Sequence, residues 1–280
     1  MPHPLLEGLA FPEGPRWHEG RLWFSDMHAH EIVAVDEAGR RETMLSWTGP
    51  VSGLGWLPDG RLLFVSMEDR KLMRREIDGR VVLHGDLSGV ATWHANDMVV
   101  DARGRAYVGN FGFSLHPMGA PAAATLARVD PDGSVHAAAG DLMFPNGMMI
   151  TPDGGTLIVG ESFAARLTAF DVAPDGALSN RHLWAQLPEG AVPDGSCLDA
   201  DGAVWTASPT TKDVLRVREG GAVLEKITTE QQAIACMLGG DDGRTLFILT
   251  AADTDPDACR KTRTARIVTH QAPAARAGLP

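Results

Sequence analysis

Cysteine is scarce: Cys197, Cys236 and Cys259 are the only three in 280 residues, an odd number at unrelated spacings. A disulfide framework is therefore not expected, and a reducing, cytoplasmic setting is the default expectation. Basic charge is also short. Lys and Arg total 25 against 36 Asp and Glu, a formal charge of −11, which argues against binding to nucleic-acid phosphates or anionic membranes. No apolar run approaches the roughly 18 residues of a membrane span. The opening Met1-Pro-His-Pro-Leu-Leu-Glu-Gly8 carries neither a basic segment nor a long apolar one, so no secretory leader is expected. There is no Gly-x-Ser-x-Gly elbow and no glycine loop of a nucleotide-binding type, which argues against serine-hydrolase and nucleotide chemistry.

Glycine (31) and proline (18) are plentiful, so the chain has many turns and few long helices. Six turns share one pattern, an apolar stretch followed by a Gly-containing turn and a short β-rich run. They end at Gly20, Gly60, Gly104, Gly154, Gly202 and Gly243, 40 to 50 residues apart. Asp-Gly and its relatives between apolar runs mark hairpins, because such turns need positive φ. A repeat of this length with three or four strands per unit predicts an all-β fold, a six-bladed β-propeller with a central channel. The expected organisation is one domain over 1–280, with blades at about 10–50, 51–90, 91–141, 142–190, 191–231 and 232–270. The N-terminal strand is expected to close the ring beside Arg266–His270, and Ala272–Pro280 reads as a short loose tail.

Aligning the repeats against one another locates a site. Eight residues before the turn glycine, where each blade's first strand begins, stand Ser52, Asn96, Asn146, Asp194 and Ala235, with Glu13 seven before Gly20. First strands line a propeller's channel, so these positions converge at one mouth. Three of them sit in Pro-Glu13-Gly, Pro-Asn146-Gly and Pro-Asp194-Gly. Such tripeptides also make ordinary turns, but Glu is no turn former, and three at one repeat position point to a ligand cluster. Oxygen donors of this kind suit one hard divalent cation, Ca²⁺, Mg²⁺ or Mn²⁺, with Fe²⁺ or Zn²⁺ reachable through the carboxylates. A second polar position ends each second strand: Asp26, Ser66, Asn110, Glu161, Ser208 and Thr250, of which Asn110 and Glu161 are the best candidates for substrate contacts. His28-Ala-His30 has zinc-like spacing but no third partner nearby, and reads as a solvated loop. Trp17 and Trp93 are candidates for the pocket wall, and Gly109–Thr125 for a cap over its mouth.

Phe11-Pro-Glu-Gly-Pro-Arg-Trp17, Asn96-Asp-Met-Val-Val-Asp101, Phe144-Pro-Asn-Gly-Met-Met-Ile-Thr-Pro-Asp-Gly154 and Pro193-Asp-Gly-Ser-Cys-Leu-Asp-Ala-Asp-Gly202 resemble the senescence marker protein/gluconolactonase/luciferin-regenerating-enzyme family. The resemblance runs over roughly residues 8–270. It implies one divalent metal held by Glu13, Asn146 and Asp194, with Asn96 holding substrate or a metal-bound water and Asp194 also serving as general base or as the group steering the attacking water. Many members hydrolyse sugar lactones, so a small-molecule lactone is the implied substrate. Two residues before the Asn96-Asp97 pair, sugar-lactonase members often carry an arginine; here it is His94, read as a pocket residue that contacts substrate. The expectation is a metal-dependent lactonase. Its rivals are a phosphotriesterase-like hydrolase on the same metal and a non-enzymatic cation-binding or interaction propeller.

Overall fold

In the computed structural model, residues 2–280 are described, and they form six antiparallel sheets arranged as the blades of a β-propeller. Blade 1 runs Pro12–His18, Arg21–Asp26, Glu31–Val35 and Arg41–Ser46; blades 2, 3 and 4 repeat the four-strand meander, starting at Val51, Ala95 and Pro145. Blade 5 starts at Ser196 and blade 6 at Gln232. The hairpin turn between the first two strands of every blade is made by the repeat glycine, and all six (Gly20, Gly60, Gly104, Gly154, Gly202, Gly243) have φ between +69° and +83°. A side chain at these positions would meet the steric penalty of the left-handed region, which glycine escapes. The repeat is therefore written in the turns because the turns have the strictest backbone requirement.

The first strands are buried along almost their whole length: Val51–Leu54, Ala95–Val100 and Pro145–Ile150 contain no exposed residue. They pack side by side around the axis, and their closeness depends on missing side chains. A Cβ on Gly147 would run into the carbonyl oxygen of Asp194 in the next blade, and one on Gly53 into the backbone at Asp97–Met98. Five of the six first strands, all but that of blade 5, also carry a register shift just after their start, between Glu13 and Arg16, Val51 and Leu54, Ala95 and Met98, Pro145 and Met148, and Ala233 and Ala235. A bulge bends the strand and re-aims the adjoining side chain. Repeated around the ring, it turns the strand starts of successive blades toward one opening.

The ring closes through the chain's own beginning. His3–Leu9 is the outermost strand of blade 6 and pairs antiparallel with Ala265–Gln271, His3 opposite Thr269 and Leu9 opposite Ala265. The C-terminal segment is not the loose tail its composition suggests. Arg276–Ala277 adds a fifth strand to blade 5 against Leu198–Asp199, and Leu279 exchanges two 2.8 Å backbone hydrogen bonds with Ile150 of blade 4. Ala272 and Ala274 are buried. Small residues are required here, because a Cβ on Gly278 would strike the Ile150 carbonyl. Truncation after Gln271 should therefore destabilise the ring. Each lost backbone bond is worth about 1 kcal/mol net, and a chain of this size shifts by roughly 2–4 °C per kcal/mol. A melting temperature lower by about 5–10 °C in a thermal-shift assay is expected; an unchanged one would show that the tail contributes nothing.

Among the described residues there is one α-helix, Pro256–Thr262, capped by Asp255, whose side chain accepts from the Ala258 N–H at 2.9 Å. It lies between the second and third strands of blade 6. Among the described residues no helix is long and apolar enough to cross a membrane.

Candidate active site

The strand starts converge at one end of the axis on a cavity of about 340 Å³, whose lining includes Glu13, Asn96, Asn146 and Asp194. Glu13, Asn96 and Asn146 are almost fully buried, while Asp194 keeps part of its surface open to the cavity. A hydrogen-bonded chain links four blades. The Ser52 hydroxyl donates to Asn96 Oδ1 (2.9 Å), Asn96 Nδ2 to Asn146 Oδ1 (3.3 Å), and Asn146 Nδ2 to Asp194 Oδ1 (2.5 Å). Asn146 Nδ2 also reaches the Ser162 hydroxyl at 3.3 Å. Glu13 accepts from the Gly14 N–H at 2.9 Å.

Beneath this floor lies an ion pair that the sequence reading did not assign. Arg16 Nη2 contacts Asp97 Oδ1 at 2.8 Å with both side chains about 95% buried. The same guanidinium donates to the carbonyls of Leu54, Pro15 and Met98. The pair joins blades 1 and 3 behind the first strand of blade 2, and it commits the cation nearest the site to Asp97. The available signal was the adjacency of Arg16 and Asp97 to the repeat positions, inside motifs already singled out.

The electrostatic result is two carboxylates without a basic partner: among the described residues, neither Glu13 nor Asp194 forms an ion pair with Lys, Arg or His. Burial, and then the charge of Asp97, pushes the Asp194 carboxyl up to about 8 against the pull of the Asn146 amide and the Gly195 N–H. Burial, followed by the charges of Asp194 and Asp97, raises Glu13 well above the usual carboxylate range. Among the described residues no three His, Cys, Asp or Glu side chains gather as a metal-holding group. Any cation here would therefore rest on these two carboxylates and on amide oxygens, a hard all-oxygen set. The uncompensated charge at the floor fits a divalent cation.

These shifts have a sign that can be checked without activity. A carboxyl whose pKa is raised in the folded state contributes stability that is complete below its unfolded value near 4 and is lost as pH rises through the folded value. Chelator-treated protein should therefore melt higher at about pH 6.5 than at about pH 8.5. Asp194→Asn, which cannot titrate there, should show a smaller difference. Restricting the comparison to this window limits interference from His28, whose pKa is lowered and which acts in the opposite sense below about 6.5. Equal pH dependence in the two proteins would show that Asp194 does not titrate in this range.

Of the other sequence candidates, His94 lines the cavity and stacks on Trp93, with centroids 5.3 Å apart and planes 17° apart. Asn110 does not reach the cavity. Its Nδ2 donates to the Thr125 carbonyl at 2.8 Å and its Oδ1 accepts from the Gly112 N–H at 3.1 Å, so it anchors the long loop of blade 3. Glu161 is fully buried against Arg166, Arg181 and the Met143 N–H, and Asp26 accepts from the backbone N–H groups of Ala10 and Phe11. At these three positions the polar ends of the second strands thus satisfy neighbouring backbone and arginines. His28 is no solvated-loop residue. It occupies a short 3-10 turn, Met27–Ala29, 9% exposed and 4.8 Å from Phe11. Burial, and then Arg260, pushes its pKa down to about 4, so it is a neutral wall residue at pH 7. Trp93 is at the cavity, but Trp17 stacks on Phe247 between blades 1 and 6. From the Gly109–Thr125 segment, Phe111, Ser114, Leu115 and His116 line the cavity.

A family model described as "SMP-30/Gluconolactonase/LRE-like region" matches residues 11–252, which takes in blades 1 to 5 and the first two strands of blade 6. The chain belongs to that family. Among its relatives is a pentonolactonase of Haloferax volcanii, 28% identical over 247 residues that cover 85% of this chain and 81% of the relative. A solved structure of a gluconolactonase from Xanthomonas campestris is 28% identical, with a TM-score of 0.77, covering 99% of this chain and 89% of that one. A luciferin-regenerating enzyme superimposes with a TM-score of 0.83 at 18% identity, covering 99% and 98% of the two chains. That last likeness is one of fold.

Proposed function

We propose that this member of the SMP-30/gluconolactonase/LRE-like family is a divalent-cation-dependent hydrolase that opens lactones. The observation that carries the reading is the pair of carboxylates, Glu13 and Asp194, left without a basic partner at the floor of a concave pocket. The relatives named as lactonases supply the substrate class.

In this reading Glu13, Asn146 and Asp194 hold the cation. When bound, it polarises the lactone carbonyl and lowers the pKa of water. The protein's own residues do the rest. Asp194 borders the open cavity and accepts a hydrogen bond from Asn146, so it can orient a water and receive its proton. Asn96, fixed by Ser52, presents its amide at the floor beside the acyl group. His94 stands on the wall and contacts the substrate body. Arg16 and Asp97 act from behind, fixing the spacing of three first strands. Asn110 has no place in this scheme, because its amide is committed to the loop it anchors.

The test is metal analysis of protein purified without added metal or chelator, followed by assay with five- and six-membered lactones and a phosphotriester. One divalent cation per chain and metal-dependent lactone opening are expected. Cleavage of the phosphotriester without lactone opening would transfer the function to phosphoester chemistry. A metal-loaded protein inert to both would be a binding module.

A further inference from the structure

The floor of the pocket is polar, whereas most of its wall is carbon. Above Glu13, Asn96, Asn146 and Asp194 the cavity is bounded mainly by carbon, including Phe11, Met27, Trp93, Phe111, Phe144 and Ile234. The aromatic groups are arranged as a continuous surface. Trp93 stacks on His94, His94 lies 6.0 Å from Phe111 at 43°, and Phe111 stacks on Phe144 at 4.5 Å and 15°. Phe163 extends the run at 5.3 Å from Phe144. Trp93, which lines the cavity, is 39% exposed, and Phe163, at the far end of the run, is 44% exposed.

Phe144 has a second peculiarity. Its φ is +62°, in the left-handed region that a bulky side chain rarely occupies. Backbone held in such a region tends to mark functional sites. Here it places a phenyl ring against the cavity two residues before Asn146.

The uncharged polar groups of the wall are the imidazoles of His28, His30, His94 and His116 and the hydroxyls of Ser114 and Thr254, set among a larger area of carbon. The floor amides are committed to one another and to Ser52 and Asp194. The charged residues on the wall are Glu68 and Arg260, and Arg260 is paired with Asp257. A ligand rich in hydroxyls would have to set part of its polar surface against carbon, which opposes binding. A planar or apolar group would bury carbon against stacked rings, which favours it.

We propose that the lactone opened at this site carries an aromatic ring or an extended apolar substituent, with the Trp93–Phe111–Phe144 surface as its specificity wall. The proposal rests on the lactone-opening reading for its chemistry and on the wall for its substrate class. In the step, the oxygen of water bonds to the carbonyl carbon and the ring acyl–oxygen bond breaks. The proton taken from water passes to the departing ring oxygen, and the product is an apolar hydroxy acid.

The experiment compares dihydrocoumarin with glucono-δ-lactone as substrates of the metal-loaded enzyme, corrected for spontaneous opening. In parallel, the ring-matched lactams, dihydroquinolinone and gluconolactam, are titrated calorimetrically as non-hydrolysable ligands. We expect kcat/KM for dihydrocoumarin to exceed that for glucono-δ-lactone by about 10-fold or more, since a single methylene in an apolar pocket is worth about that much. Trp93→Ala, a change at a half-exposed position, and Phe111→Ala should each shrink that ratio several-fold, and Trp93→Phe should restore it. A preference for glucono-δ-lactone, or variants that lower both substrates equally, would overturn the proposal. Should no lactone be opened, the lactone-opening reading fails and the lactams decide the wall. Tighter binding of dihydroquinolinone than of gluconolactam then upholds an apolar ligand, and equal or weaker binding overturns it.

Discussion

Asp194→Asn, assayed with its cation site saturated and occupancy confirmed, should lose about 10²–10⁴-fold in kcat on any lactone the wild-type protein opens, the usual contribution of general-base assistance. The substitution is nearly isosteric and keeps an oxygen donor, so excess cation can still fill the site. What disappears is the capacity to take a proton. Asp194 is placed for that task because it keeps surface open to the cavity where Glu13 is almost fully buried, its carboxylate is fixed by a hydrogen bond from Asn146, and its pKa is raised to about 8 by burial and by Asp97. A cation bound beside it would draw that value down again, since opposite charge favours the ionised form. The acidic limb of the pH–rate profile should therefore lie below the value of the cation-free protein. A metal-loaded Asp194→Asn enzyme with near wild-type kcat would assign water activation to the cation alone. KM should change little, because the step lost belongs to the transition state.

The fold was readable because its punctuation is severe. Six hairpins each need a residue at positive φ, and Gly20 through Gly243 supply it at a regular interval. The strand starts were readable for a related reason: Pro-Glu13-Gly, Pro-Asn146-Gly and Pro-Asp194-Gly combine a fixed approach, a functional side chain and a glycine that lets the next blade come close. The same alignment misread the ends of the second strands. Polarity there does not mean exposure to the mouth: Asn110 and Asp26 spend it on backbone groups, and Glu161 on Arg166, Arg181 and the Met143 N–H. A repeat position shows that a polar group is required without showing which partner requires it. The Arg16–Asp97 pair was hidden because its members are 81 residues apart and meet only after three blades pack. The C-terminal strand was hidden because Ala, Gly and Pro carry no alternating pattern, although close backbone packing selects exactly such small residues.

The stability of the floor and its function should pull in opposite directions, and a double substitution exposes the conflict. Glu13→Gln/Asp194→Asn removes both formal charges from the cation site while leaving four oxygen or nitrogen donors of similar size. Divalent cations bind oxygen cages in proportion to ligand charge, so the purified double variant should carry almost no metal where the wild type carries one ion per chain. Glu13→Gln alone should weaken binding less, since Asp194 keeps its charge. Without metal the order reverses. Two carboxylates crowded with Asp97 and lacking any basic partner are costly to bury, and their removal should stabilise the metal-free fold at about pH 8.5, where both are least comfortable. A gain of roughly 1–3 kcal/mol is expected from relieving the buried charges, or several degrees in melting temperature for a chain of this length. Added cation should then raise the melting temperature of the wild type and leave that of the double variant unmoved, because only a ligand that binds the folded state shifts its stability. Wild-type-like metal content in the double variant would remove Glu13 and Asp194 from the cation site. A metal-free double variant that melts below the metal-free wild type would show that the two carboxylates are held by stabilising contacts and carry no uncompensated charge.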